Sequence, residues 1–248
     1  MHTMTFGSEQ SPTLLLLHGA GACDCFCNQY AALSEHFRLF IPHLPGAGEA
    51  VGELYAREST LSALAEYVDE LAAQGPIAVV GHSVGAELAV ALAARQPSRF
   101  NRAVFLSPWV CATKQSCAVY TRMAKLATAS LRCGALVRLQ GRYWGYSEAQ
   151  AQYMAQYSAK ITPEQYAAWF SYENRVHLSE EVGYKDIAFP MLAVCGRSET
   201  AETIRSVDTL GRLNVNCAVV KLRGNHDYPQ RSPGALNPLL LDFLLKQA

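Results

Sequence analysis

Pro76-Ile77-Ala78-Val79-Val80-Gly81-His82-Ser83-Val84-Gly85-Ala86-Glu87-Leu88-Ala89-Val90-Ala91-Leu92-Ala93-Ala94-Arg95 carries the reading that decides the fold. Its first residues are apolar and β-branched and read as a buried strand. Its last residues are rich in alanine and leucine and are followed by Pro97, so they read as a helix. Between the two lies Gly81-His82-Ser83-Val84-Gly85, a G-x-S-x-G turn in a strand–turn–helix setting. A serine in so tight a turn is held in a strained backbone conformation, its hydroxyl standing clear of the sheet. Bulk at Gly81 or Gly85 would drive strand and helix into each other. The helix that follows aims its free N–H groups and positive end at the space beside Ser83. A plain helix cap would use the same serine hydroxyl without that surrounding geometry. Ser83 is the candidate nucleophile.

Outward from this turn, strands and helices alternate. Thr13–Leu17 reads as a central strand and runs straight into His18-Gly19-Ala20-Gly21, where glycines free the backbone to turn N–H groups into a cleft. In acyl transfer, the Ala20 and Val84 amides are the expected oxyanion donors. A helix is expected over 28–37, a strand over 38–42, a helix over 60–73 and a strand over 102–106. After a break, strands are expected over 189–196 and 217–222, with helices over 201–213 and 233–246. This order predicts an α/β fold built on a doubly wound, mostly parallel sheet.

The break spans 109–188, which the reading assigns to a helical cap inserted in a core of 1–108 and 189–248. Ser147-Glu148-Ala149-Gln150 and Thr162-Pro163-Glu164-Gln165 have capping-box spacing. All three tryptophans lie here, and Trp109 and Trp144 are the candidate substrate contacts. From Val110 to Tyr146 there are basic residues and no acidic one. Val119, Met123, Leu126 and Val137 are expected to share one helical face, with Gly134 as a potential break. The basic side chains read first as a solvated face and second as an anion-attracting rim. A membrane-surface helix is the third reading, weakened by the absence of Trp and Phe from the helical stretch.

With 248 residues, half of them hydrophobic, the chain can fill a single α/β core. Basic and acidic residues balance at 21 each, which argues against nucleic acid as a partner. Met1–Pro12 lacks a basic leader region and Leu14–Leu17 is too short to cross a bilayer, so a cytoplasmic location without stable membrane association is expected. The eight cysteines are expected to be reduced and mostly buried. Cys23, Cys25 and Cys27 lack the further ligands that zinc requires, and neither metal nor cofactor is expected. The oligomeric state is not legible.

A serine needs a base to take its proton. Gly224-Asn225-His226-Asp227 follows the last strand and puts His226 at the C-terminal edge of the sheet, where catalytic groups of parallel sheets collect. His18 and His82 lie near the same edge, each fixed beside a turn glycine, and read as supporting groups. The letters G-N-H-D also occur in metal-dependent phosphoesterases, but the upstream Asp and His ligands which two metals would need are missing. Glu199, in Gly196-Arg197-Ser198-Glu199, is the first carboxylate past its strand and the candidate to orient His226, with Glu202 in reserve. The alternative for Glu199 is a helix-dipole role.

These segments together resemble the α/β-hydrolase superfamily, in particular its helical-capped members. The resemblance covers nearly the full chain and rests on His18–Gly21, Gly81–Gly85, Gly196–Glu199 and Gly224–His226. It departs from the pattern at His43, where an aspartate usually precedes Pro-Gly-x-Gly, and at Glu199, where the acid is usually aspartate. The N-terminal strands look truncated. A serine nucleophile speaks against the dehalogenase and epoxide-hydrolase branches. The resemblance implies serine hydrolysis of an ester, thioester or similar acyl bond in a small, largely apolar substrate. Carbon–carbon bond hydrolysis by the same triad, and a low-turnover ligand-binding module, are the alternatives.

Overall fold

Residues 1–246 are described by a computed structural model. In chain order the regular elements are β1 (Thr3–Phe6), β2 (Thr13–Leu17), α1 (Cys27–Ser34), β3 (Arg38–Pro42), α2 (Arg57–Leu71), β4 (Ile77–His82), α3 (Val84–Arg95) and β5 (Phe100–Leu106). Then come α4 (Lys114–Leu131), α5 (Gly134–Tyr143), α6 (Glu148–Ser158) and α7 (Pro163–Ala168). The chain ends with β6 (Met191–Gly196), α8 (Ala201–Leu213), β7 (Cys217–Leu222), α9 (Tyr228–Arg231) and α10 (Pro233–Leu245).

The strands form one sheet in the order β1-β3-β2-β4-β5-β6-β7. Every neighbouring pair is parallel except β1 with β3. Side chains alternate across a strand, so one apolar run feeds both faces. Leu15, Leu17, Val79, Ala103, Phe105 and Ala193 join a core on one face with residues of α2, α3 and α8. Leu14, Leu16, Val80, Val104, Leu106 and Val194 join the other core with residues of α1 and α10. Burial on both faces explains why these strands read as continuous hydrophobic runs. The expected doubly wound, mostly parallel sheet is the one observed.

Several boundaries differ from expectation. β1 was not expected: at four residues, with half of them exposed, Thr3–Phe6 carries too little apolar pattern to stand out. It gains its place by antiparallel pairing of Thr3–Phe6 with Leu39–Pro42. α1 stops at Ser34, three residues before Phe37, and α2 starts at Arg57 rather than Thr60.

Between β5 and β6 no strand occurs among the described residues, only helices. Both expected capping boxes are present, Ser147 with Gln150 and Thr162 with Gln165, and a third pairs Thr113 with Ser116. The expected shared face of Val119, Met123, Leu126 and Val137 is not formed. The chain breaks between Leu131 and Gly134, and α4 turns Cys117, Ala124 and Thr128 inward. Val119, Met123 and Leu126 therefore face outward, while Val137 on α5 is buried. Small residues let α4 approach its neighbours closely and leave its larger apolar side chains without cover.

Candidate active site

Ser83 sits between β4 and α3 at φ 56° and ψ −121°, a left-handed conformation rare for a residue with a side chain. Its N–H donates to the Leu106 carbonyl at 2.8 Å, which ties the turn to β5. A side chain at Gly81 would run into the Gly85 carbonyl and the Ala86 Cα, and one at Gly85 into the carbonyls of Leu17 and His18. The glycines are thus where β2, β4 and α3 come too close for a Cβ. Val84 is the first residue of α3, and the Gly19–Ala20 turn abuts the serine, a Cβ at Gly19 lying 3.3 Å from Ser83 Cβ. No hydrogen bond from the Ala20 or Val84 N–H is found among the described residues, so both donors are free beside Ser83.

The other segments approach from β6 and β7. Arg197 N–H donates to the Leu222 carbonyl at 2.8 Å and Ser198 N–H to the Gly224 carbonyl at 3.0 Å, clamping the two post-strand loops together. Across this clamp His226 Nδ1 lies 2.7 Å from Glu199 Oε2. The other Glu199 oxygen accepts from Ser107 Oγ at 2.6 Å and from Gly196 N–H at 2.8 Å. Burial alone would raise the Glu199 carboxyl. The bond and charge of His226, with the Ser107 and Gly196 donors, outweigh it and hold the group below the usual carboxylate range.

Glu199 does not serve α8 as a cap, because Thr200 does: its side chain accepts from Thr203 N–H. Glu202 accepts from Trp109 Nε1 at 2.7 Å and Thr113 Oγ1 at 3.3 Å, and it is Glu199 that His226 meets. Asp227 accepts from Trp144 Nε1 at 3.1 Å.

Ser83, Glu199 and His226 line one cavity of about 310 Å³ together with Trp109, Tyr120 and Phe170. No hydrogen bond joins Ser83 Oγ to His226 among the described residues, although both line the same cavity. Trp144 instead lines a larger cavity of about 720 Å³, which Ala20 also borders. The two tryptophans singled out from the sequence therefore stand in different chambers.

Two contributors, Ser107 and Arg175, escaped the sequence reading, and a third, His82, is more closely tied to His226 than it said. Ser107, at φ 52° just past β5, fixes the Glu199 carboxylate, and only the position after a strand hinted at it. Arg175 is buried in the wall of the smaller cavity, paired with Glu87 of α3. His82 was read only as a supporting group, and its Nε2 donates to the His226 carbonyl at 3.1 Å, pinning the histidine loop to the Ser83 turn. Burial pulls the His82 imidazole down to about 3 and His18 down to about 4. Both stay neutral near pH 7, and His18 Nε2 accepts from Leu44 N–H at 3.0 Å. His43, at the unusual position before Pro45-Gly46, accepts the Glu49 N–H at 3.0 Å and so stitches that loop. All eight thiols are free, and six are buried. No group of three or more His, Cys, Asp or Glu side chains suited to a metal ion occurs among the described residues.

The sheet order, the strained turn after β4 and the loops converging after β6 and β7 define an α/β-hydrolase architecture. A sequence model described as the alpha/beta hydrolase fold matches residues 12–219, and the chain belongs to that family. RutD of Agrobacterium fabrum, named as a candidate carbamate hydrolase, is 32% identical over 115 residues, or 44% of each chain. A pimeloyl-[acyl-carrier protein] methyl ester esterase of Nitrosospira multiformis is 32% identical over 102 residues, 40% of this chain and 39% of that one. The matched segments thus span less than half of these relatives. Among solved structures, a thioesterase domain from the curacin biosynthetic pathway shares the fold at a TM-score of 0.71 and 22% identity, covering 96% of this chain and 94% of that one. No helix of the described residues is long and apolar enough to cross a membrane.

Proposed function

We infer that the protein is a serine hydrolase that cleaves an ester, thioester or similar acyl bond of a small, largely apolar substrate through an acyl-enzyme. The observation that carries this reading is Ser83, strained at φ 56° in the wall of the cavity that also holds the Glu199–His226 pair. A rotation about the Ser83 side chain, or arrival of substrate, closes the remaining gap to His226.

Ser83 Oγ then gives its proton to His226 Nε2 and attacks the acyl carbon. The imidazolium is stabilised through Nδ1 by Glu199, already ionised at neutral pH. The Ala20 and Val84 N–H groups receive the oxyanion. Collapse of the tetrahedral intermediate expels the leaving group, which takes the proton from His226. Water, activated by the same imidazole, hydrolyses the acyl-enzyme and restores Ser83.

The test is reaction with a fluorophosphonate probe, followed by peptide mapping. Covalent labelling at Ser83, lost in Ser83→Ala, is the expected result. A folded protein that neither labels nor turns over any model ester would instead be a ligand-binding module on a hydrolase fold.

A further inference from the structure

Two cavities flank the Gly19–Ala20–Gly21 turn, Ser83 lining the smaller and Ala20 the larger, and their walls differ. The smaller, about 310 Å³, holds His226 and Ser83 and is closed by Trp109, Tyr120 and Phe170. The larger, about 720 Å³, begins at Ala20 and Gly21 and runs under the inserted helices, lined by Val137, Leu139, Met154 and Ile161. The Gly19–Ala20–Gly21 turn links them. A Cβ on Gly19 would touch Ser83, and one on Gly21 would lie 3.3 Å from Ile161 Cδ1. The partition is aromatic: Tyr166 of the larger chamber packs edge-on against Phe170 of the smaller, ring centroids 5.5 Å apart.

We propose that the larger cavity binds a long unbranched acyl chain and that the smaller binds a compact alcohol or thiol leaving group, so that the substrate is a fatty-acyl ester or thioester. The assignment rests on the serine-hydrolase reading above and follows from where the proton must go. His226 delivers the proton to the departing oxygen or sulfur, so the leaving group lies on the His226 side of the acyl carbon. The chamber lined by His226 is the smaller one. With the oxyanion held between the Ala20 and Val84 amides, the acyl substituent points away from His226, past Ala20, into the larger chamber.

The chemistry of the walls agrees. Leu136, Val137, Leu139, Met154 and Ile161 give the larger cavity an aliphatic wall, interrupted by Ser130, Gln140 and Ser158, whereas the apolar wall of the smaller is aromatic and built by Trp109, Tyr120 and Phe170. The larger chamber opens outward beside Leu136, Leu139 and Tyr143, all more than half exposed. This apolar rim gives a long chain a way in. Each methylene buried there is worth about fourfold in binding, or about 0.8 kcal/mol.

The experiment is a pair of ester series assayed on the intact protein, one varying the acyl chain from acetyl to decanoyl with a fixed alcohol, the other varying the alcohol with a fixed acyl group. The expected ratio of kcat/KM for decanoyl over acetyl is at least tenfold in the wild type. It should fall at least tenfold in Met154→Trp and in Val137→Phe, which fill the larger chamber. Tyr120→Ala should alter preference among alcohols and not among acyl groups. Val215→Trp, at a site 98% exposed and remote from either chamber, should alter neither. A wild-type ratio under threefold, or an acyl preference that responds to Tyr120→Ala and not to the chamber-filling variants, overturns the assignment. If the folded wild type hydrolyses no ester, the serine-hydrolase reading fails, and decanoate displacement of a fluorescent fatty acid from Ser83→Ala protein judges the cavity by itself. Displacement weakened at least fivefold by Met154→Trp supports the chain site, and no binding overturns it.

Discussion

Replacing Glu199 by glutamine exchanges one carboxylate oxygen for an amide nitrogen at a site where the side chain is 1% exposed. The carboxylate accepts three hydrogen bonds, from Ser107 Oγ, Gly196 N–H and His226 Nδ1. A glutamine carbonyl can keep the first two, since both converge on one oxygen. Its NH₂ then faces His226 Nδ1, donor against donor, and the imidazole relaxes by moving its proton to Nε2. In that tautomer Nε2 cannot take the Ser83 proton, and the imidazolium loses its buried counter-charge. Where a serine-protease triad loses the same charge, kcat drops about 10⁴-fold; a side chain as enclosed as Glu199 should cost about 10²–10⁴-fold. Shape is nearly conserved, so stability should change by only about 1–2 kcal/mol. The assay is kcat on a model ester together with urea unfolding, run in parallel on Glu202→Gln, whose partners are Trp109 and Thr113 rather than His226. A helix-dipole role for Glu199 would retain kcat and cost only about 0.3–1 kcal/mol in stability, so kcat is the readout that separates the two. A Glu199→Gln kcat within threefold of wild type would refute the orienting role.

Three further outcomes are expected. Ser83→Ala and His226→Ala should each lower kcat by several orders of magnitude with the double variant scarcely worse, because groups acting as one unit give non-additive losses; losses that multiply would separate them. Glu199 is held below its ordinary value of 4.5, so its contribution to stability is present above that pH and lost as pH falls through the depressed native value. Urea unfolding of wild type and Glu199→Gln should therefore begin to converge as pH falls below about 4.5 and meet only below the depressed native value. Arg175→Met, which strands the Glu87 carboxylate in the interior, should destabilise by about 3–5 kcal/mol, and adding Glu87→Leu should recover most of it, both read by chemical denaturation.

Much of the site was legible because its parts follow strand ends. Ser83, Glu199 and His226 each fall within a few residues of the end of a parallel strand, β4, β6 and β7, and such strands announce themselves by apolar runs. The choice of Glu199 over Glu202 rested on that rule alone, and the geometry places Glu199 against His226. What sequence could not carry was contact between distant segments. Ser107 reaches Glu199 only because β5 and β6 are neighbours in the sheet, and nothing local to Ser107-Pro108 says so. Which face of α4 packs inward was not legible for a related reason. Periodicity identifies a stripe of Val119, Met123 and Leu126, but burial fell to the stripe of Cys117, Ala124 and Thr128, whose small side chains allow close packing. β1 escaped because a short edge strand owes its form to its partner more than to its own pattern.

The buried pair of Arg175 and Glu87 bears on how the inserted helices and the nucleophile turn hold a common geometry. Glu87 lies on the first turn of α3, four residues past Ser83, and its side chain is 1% exposed, as is that of Arg175. One Glu87 oxygen meets the Arg175 guanidinium and the other accepts Val176 N–H at 3.2 Å. Arg175 in turn donates to the Trp169 carbonyl at 2.8 Å and lies over the Trp109 ring with its Cζ 4.7 Å from the centroid. Two charges removed from water are a poor way to gain stability, since an apolar pair of equal volume does as well. Their directionality is what an apolar pair lacks. The carboxylate also sits where the positive end of α3 favours it, so a single group fixes the first turn of the elbow helix against the segment that walls the smaller cavity. The turn that strains Ser83 and the wall that shapes the leaving-group chamber are thereby set by the same contact, and loosening it should disturb both together.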